Sequence, residues 1–217
     1  MKIPSRPGSW PVHIHPGFLA MILAMSAACG YLLGTVRVQA TGTFDVQWWE
    51  AVLAGVLALS AVGVHEFAHA VVGAATGRRI ERIDFGLKIG VVSAGDSTAL
   101  HRAASIAAGP LAEIAVGALL WSLAGGGVPA LATPVGLAGA MAAFNGVANL
   151  VPFHPSMDGW KLFRFLTLAA RGRTMLNCAP PGDPCPACTG IVGPAPQNEK
   201  TPPVRQGGVV VLPVVTR

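Results

Sequence analysis

Four apolar runs dominate the chain, about Phe18 to Val36, Trp49 to Ala75, Ala103 to Ala124 and Leu131 to Val151, and each is long enough to cross a bilayer. The composition agrees. Charged residues make up 12% against 52% hydrophobic, and the mean hydropathy is +0.55, far from the balance of a water-soluble chain. At 217 residues the length suits one domain. The fold expected is an all-α polytopic membrane protein with about four transmembrane helices. The first run is long, and Pro4, Pro7 and Pro11 precede it, which does not suit the n-region of a cleavable signal peptide.

The formal charge of +5 follows topology rather than nucleic acid, because the cations gather at particular ends of the runs. Lys2 and Arg6 precede the first. Arg78, Arg79, Arg82, Lys88 and Arg102 lie between the second and third, and Lys161, Arg164, Arg171 and Arg173 follow the fourth. The loop after the first run has only Arg37 with Asp45 and Glu50, and the Gly125 to Ala130 turn has no charge. The positive-inside rule then places both termini in the cytoplasm, with the bilayer as a partner and no nucleic acid.

Inside the second run stands His65-Glu66-Phe67-Ala68-His69. HExxH is a zinc-hydrolase signature because one helical turn stacks two imidazoles on one face while the Glu can take a proton from a metal-activated water. Three ionisable groups in five residues are costly in hydrocarbon unless they serve a function. Ala61, Ala68 and Gly73 keep the histidine face small, so a neighbouring segment can approach, as it also does in ordinary transmembrane packing. A catalytic zinc needs a third protein ligand and an open position. Asp158, after the fourth run, is a candidate, since the loop carrying Pro152 and Pro155 returns to the predicted cytoplasmic side where the histidines lie.

The connecting segments add detail. His13 and His15 are spaced i,i+2, which does not put them on one helix face, and they read as interfacial histidines. Trp48 and Trp49 suit an interfacial anchor. Arg78 to Ser93 is rich in β-branched residues and broken by Gly86 and Gly90, which favours a short β-hairpin that could hold an extended peptide, with a plain loop as the alternative. Trp160 to Arg173 mixes apolar and basic residues as a helix on the membrane surface does. Residues 1–176 are expected to form the membrane domain. Residues 177–217, with nine prolines, read as a disordered cytoplasmic tail. Cys178, Cys185 and Cys188 fall in that tail, on the reducing side, and with Cys29 in the first run they do not suggest a structural disulfide.

HEFAH at residues 65 to 69, Gly109-Pro110-Leu111-Ala112, and Asn149-x-x-Pro152 followed by Asp158-Gly159 occur in an order that resembles the site-2 protease family of intramembrane zinc metalloproteases. The resemblance covers roughly Val12 to Arg173. It implies that His65, His69 and Asp158 bind Zn²⁺, that Glu66 is the general base, and that Asn149 positions substrate or stabilises the oxyanion. It also implies a multi-pass protein of the cell membrane, which cuts membrane-protein substrates such as anti-sigma factor-like regulators in regulated intramembrane proteolysis. The alternative from another class is a non-proteolytic zinc-binding membrane protein that binds or regulates a partner. Two departures stand out. Five residues, Phe153 to Met157, separate Pro152 from Asp158 where the family usually has four, and Glu113 replaces an Asn that often follows GPLA. Glu113 is open to three readings: partner of a ligand histidine, alternative ligand, or protonated buried acid. His154 is a further possible ligand or an ordinary loop histidine.

Overall fold

The computed structural model describes residues 10–171, apart from Lys88, Gly95 and Asp96, and the backbone of residues 175–176, 204–206 and 209–211. Three helices among these residues are long and apolar enough to cross a membrane: α1 (Gly17–Thr41), α2 (Trp48–Ala75) and α3 (Ala99–Leu123). The fourth run falls short of expectation. A 3-10 helix takes Val128–Ala132, Thr133 then caps the next helix by accepting from the Gly136 N–H, and α4 runs only over Pro134–Leu150, 17 residues. At 1.5 Å per residue that is about 25 Å, less than the roughly 30 Å of a bilayer's hydrocarbon.

Small side chains let these helices approach closely. Gly117 of α3 and Gly139 of α4 each face the other helix's backbone so nearly that a Cβ at either would collide with it. Without a hydrophobic driving force between helices in lipid, such close packing is what holds them together. The core between α1, α2 and α4 is built on Cys29, Leu33, Ala54 and Leu137. Cys29 is a free thiol there, with its Sγ 3.7 Å from the Met141 Sδ. At the far end of the same helices the Arg37 guanidinium donates to both oxygens of Glu50, at 2.8 and 2.6 Å, and its Nε donates to the Ala132 carbonyl.

The expected hairpin is present as β2 (Arg79–Phe85) and β3 (Ile89–Ala94), antiparallel. It has a third member. Val12–Ile14, read from sequence as part of an irregular lead-in, forms β1, which pairs parallel with β2 and gives the order β1-β2-β3. Trp10, just before β1, is buried against Ala70, Ile80 and Ile83, with its ring 5.7 Å from that of Phe67. The sheet thus sits on α2 beside the histidine turn, with β1 and β3 as its two edges among the described residues. A two-residue strand, β4 (Ser97–Thr98), leads into α3 and pairs with β5 (Met175–Leu176).

After α4 comes α5 (Asp158–Ala170), which begins two residues earlier than the surface helix expected from sequence and starts on the candidate ligand itself. Its Phe165 is buried, with the Arg102 guanidinium 5.8 Å over the ring. In the tail, β6 (Val204–Gln206) and β7 (Val209–Val211) pair antiparallel. The other residues of 177–217, including the three tail cysteines, lie outside the described residues.

Candidate metal centre

The HEFAH turn lies on the inner side of α2. His65 is buried and His69 partly so, with their rings edge to face at 4.7 Å. Asp158, in the first turn of α5, meets them from across the bundle: its Oδ2 is 3.0 Å from the His65 Nε2 and 3.1 Å from the His69 Nε2. The two Nε2 atoms are themselves 3.0 Å apart. Ligand atoms at about 2 Å from a tetrahedral zinc stand roughly 3.3 Å from one another, so a triangle with sides of 3.0 to 3.1 Å is close to what such an ion needs.

The other ring nitrogens are already engaged, and this decides what the centre can hold. His65 Nδ1 lies 2.8 Å from the Glu113 Oε2 and His69 Nδ1 2.7 Å from the Ser105 carbonyl oxygen. Both partners are acceptors, so each Nδ1 carries the proton. In their neutral form the imidazoles then turn Nε2 lone pairs toward each other and toward a carboxylate oxygen. Three converging acceptors call for a cation, and two imidazoles with one carboxylate form a donor set suited to zinc.

One helix arranges both histidines. Ser105, Gly109, Glu113 and Gly117 form a buried stripe along α3 at a spacing of four, which is one face of a helix. Ser105 and Glu113 hold the two rings, and a Cβ at Gly109 would strike both imidazoles. This gives the GPLA glycine a physical reason. Ser105 also donates its hydroxyl to the His69 carbonyl at 2.9 Å, so α2 and α3 are tied at this level in both directions.

Asp158 is set by its own surroundings. Its other oxygen, Oδ1, accepts from the Lys161 Nζ at 3.0 Å, and its place in the first turn of α5 favours a negative charge. Burial alone would push its carboxyl up, and the Lys161 charge opposes that. Gly159 is required next to it, because a Cβ there would run into the backbone of Leu150 and Val151 where α5 folds against the end of α4. The five-residue loop is absorbed in a turn in which the Met157 N–H donates to the His154 carbonyl at 2.9 Å. The extra residue does not keep Asp158 from the histidines.

Glu66, partly buried, faces a cavity of about 530 Å³ lined also by His69, Asp158, Ile89, Gly90 and Val91. Its carboxylate has no hydrogen-bond partner among the described residues. Asn149 lies in the last turn of α4 and is not among the residues lining that cavity. Glu113 pairs with the candidate ligand His65, the arrangement that the first of its three readings calls for. His154 is exposed and bonded within its loop to Ser156 at 2.7 Å, away from the metal-ligand group of His65, His69 and Asp158. Sequence reasoning missed Ser105, which acts through a main-chain oxygen, and Asn145, whose Nδ2 donates to the Glu113 Oε1 at 2.8 Å. A signal for the second existed: Asn145 and Asn149 are the only polar side chains of α4.

Comparison with known proteins adds three findings. The model of the family described as Peptidase M50B-like matches residues 38–152. Among solved structures the chain is similar to the site-2 protease from Methanocaldococcus jannaschii, with 20% identity and a TM-score of 0.49 over 78% of this chain and 70% of that one. No curated protein matches the chain.

Proposed function

This chain belongs to the Peptidase M50B-like family and is a multi-pass integral membrane peptidase, and on that premise we propose that it is a site-2 protease-like zinc endopeptidase cutting a peptide bond in or near a transmembrane segment. The observation that carries the reading is the convergence of two Nε2 lone pairs and the Asp158 Oδ2 within about 3 Å, with both Nδ1 protons engaged elsewhere. His65, His69 and Asp158 would hold the zinc. When bound there, zinc supplies a Lewis acid that makes a water acidic near neutral pH and polarises the scissile carbonyl.

Glu66, with its carboxylate facing the cavity, takes the water proton and later delivers it to the leaving amine as the C–N bond breaks. Asn149 is assigned to positioning the substrate or stabilising the oxyanion. A helical substrate shields its own peptide bonds and must unwind locally before it is cut. β3, an edge strand among the described residues that lines the cavity with Ile89, Gly90 and Val91, offers main-chain groups to such an extended segment. The substrate class proposed is a membrane protein, with anti-sigma factor-like regulators as one kind. The site would lie toward the cytoplasmic side of the cell membrane, with both termini in the cytoplasm.

Zinc content and cleavage of a helical membrane substrate, measured on the purified full chain, test the reading. Glu66→Gln removes the base and leaves the ligands, so it should retain zinc while turnover falls by about 10²-fold or more. Asp158→Ala should lose most of the metal. Substantial turnover by Glu66→Gln would sink the assigned role of Glu66, and full zinc in Asp158→Ala would overturn the ligand set.

A further inference from the structure

We propose that Asn145 and the buried Glu113 form a relay that positions His65 for metal, so that Asn145, which touches no ligand, sets the affinity and geometry of the centre. The proposal rests on the metal-centre reading above and deepens it.

Glu113 lies midway along α3 and is wholly buried, at 0% exposure. A carboxylate at such depth is expensive unless its oxygens are satisfied. Both are. Oε2 meets the His65 Nδ1 at 2.8 Å and Oε1 accepts from the Asn145 Nδ2 at 2.8 Å. The Asn145 amide therefore fixes which way the carboxylate lies, and the carboxylate fixes the ring plane and the tautomer of His65. A histidine ligand whose second nitrogen donates to a carboxylate is a stronger donor than one donating to a carbonyl. His69 has only the Ser105 carbonyl, so the two imidazoles are unequal, and the difference is made by Glu113.

The relay also crosses three helices. His65 is on α2, Glu113 on α3 and Asn145 on α4, and α4 leads through residues 151–157 to Asp158. The hydrogen bonds that orient one ligand thus fasten the helix that delivers another. Asn145 is itself exposed, so replacing it leaves no void in the core.

The test is a thermodynamic cycle on the full chain in detergent. Zinc affinity is read by competition with a chromophoric chelator, and the ligand field is read from visible absorption after loading with Co²⁺. Asn145→Ala should weaken zinc by about tenfold, at the lower end of what outer partners of ligand histidines contribute, and should move the Co²⁺ bands. A purely structural asparagine would lower thermal stability and leave those bands in place. Glu113→Gln keeps a carbonyl acceptor for Nδ1 and removes the charge, and it should weaken binding to a similar degree. Because both act on His65 by one path, the double variant should lose much less than the product of the two. Wild-type affinity and spectrum in Asn145→Ala, or losses that multiply in full, would overturn the relay while the protease reading stands. A wild-type chain that binds no zinc would overturn the metal centre itself.

Discussion

A methyl group added at Gly109 would meet the imidazoles of both His65 and His69. Inside a helix, Gly→Ala ordinarily stabilises by about 0.5–1 kcal/mol, so Gly109→Ala should not weaken α3 as a helix. It should instead displace the rings and lower zinc affinity by about tenfold or more, comparable to losing an outer partner of a ligand. Thermal unfolding with and without added zinc separates the two effects. The metal-free protein should melt near the wild-type temperature, whereas the gain in melting temperature on adding zinc should shrink. At this scale the sequence was informative where chemistry needs a side chain of a given type at a given spacing: His65, Glu66 and His69 within five residues. It was silent where a main-chain oxygen does the work, as at Ser105, because any residue there presents the same carbonyl.

Among the helices, a two-bonded polar tie away from the centre is the pair Arg37 and Glu50. Arg37 reaches from α1 to the first turn of α2 and to the Ala132 carbonyl, and Glu50 also accepts from the Gln47 N–H at 2.9 Å. Arg37→Ala would leave a buried carboxylate without its partner, a change that costs about 3–5 kcal/mol. Replacing both residues with apolar ones should cost much less, since the desolvation of both charges is removed together. Detergent-solubilised variants compared by thermal unfolding check this ordering. An Arg37→Ala protein as stable as wild type would contradict it. Element boundaries show why some of the fold was unreadable. The hairpin was legible from β-branched residues and its glycines, but β1 is three residues long and pairs with a strand some 70 positions away, so no local pattern marks it. α4 was overestimated because hydropathy ignores Thr133, whose hydroxyl caps the helix three residues into the apolar run.

For the molecule as a whole, the distribution of charge sets the orientation of the site. The end of α2, followed by Arg78 and by β2 with Arg79 and Arg82, and the start of α3 with Arg102 share a side with α5, its Lys161 and Arg164, and Arg171 just after it. At the opposite ends, Arg37 is the one basic residue among the connecting segments 37–47 and 124–133, and its charge is matched by Glu50. Lys and Arg in short loops fix topology while acidic residues contribute little, so the side with α5 is expected to face the cytoplasm. Since α5 begins on Asp158, the same asymmetry predicts from which side the candidate metal-ligand group is approached. A reporter inserted at Gly126, in the turn after α3, should be external, and one fused after Arg173 should be cytoplasmic. Accessibility of single cysteines at those two positions to a membrane-impermeant thiol reagent in intact cells gives the answer, in a background where Cys29 and the tail cysteines are replaced. Labelling at position 126 and protection at 173 is the expected pattern. The reverse would turn the chain over and place the opening of the cavity, with Glu66 and the edge of β3, on the external face.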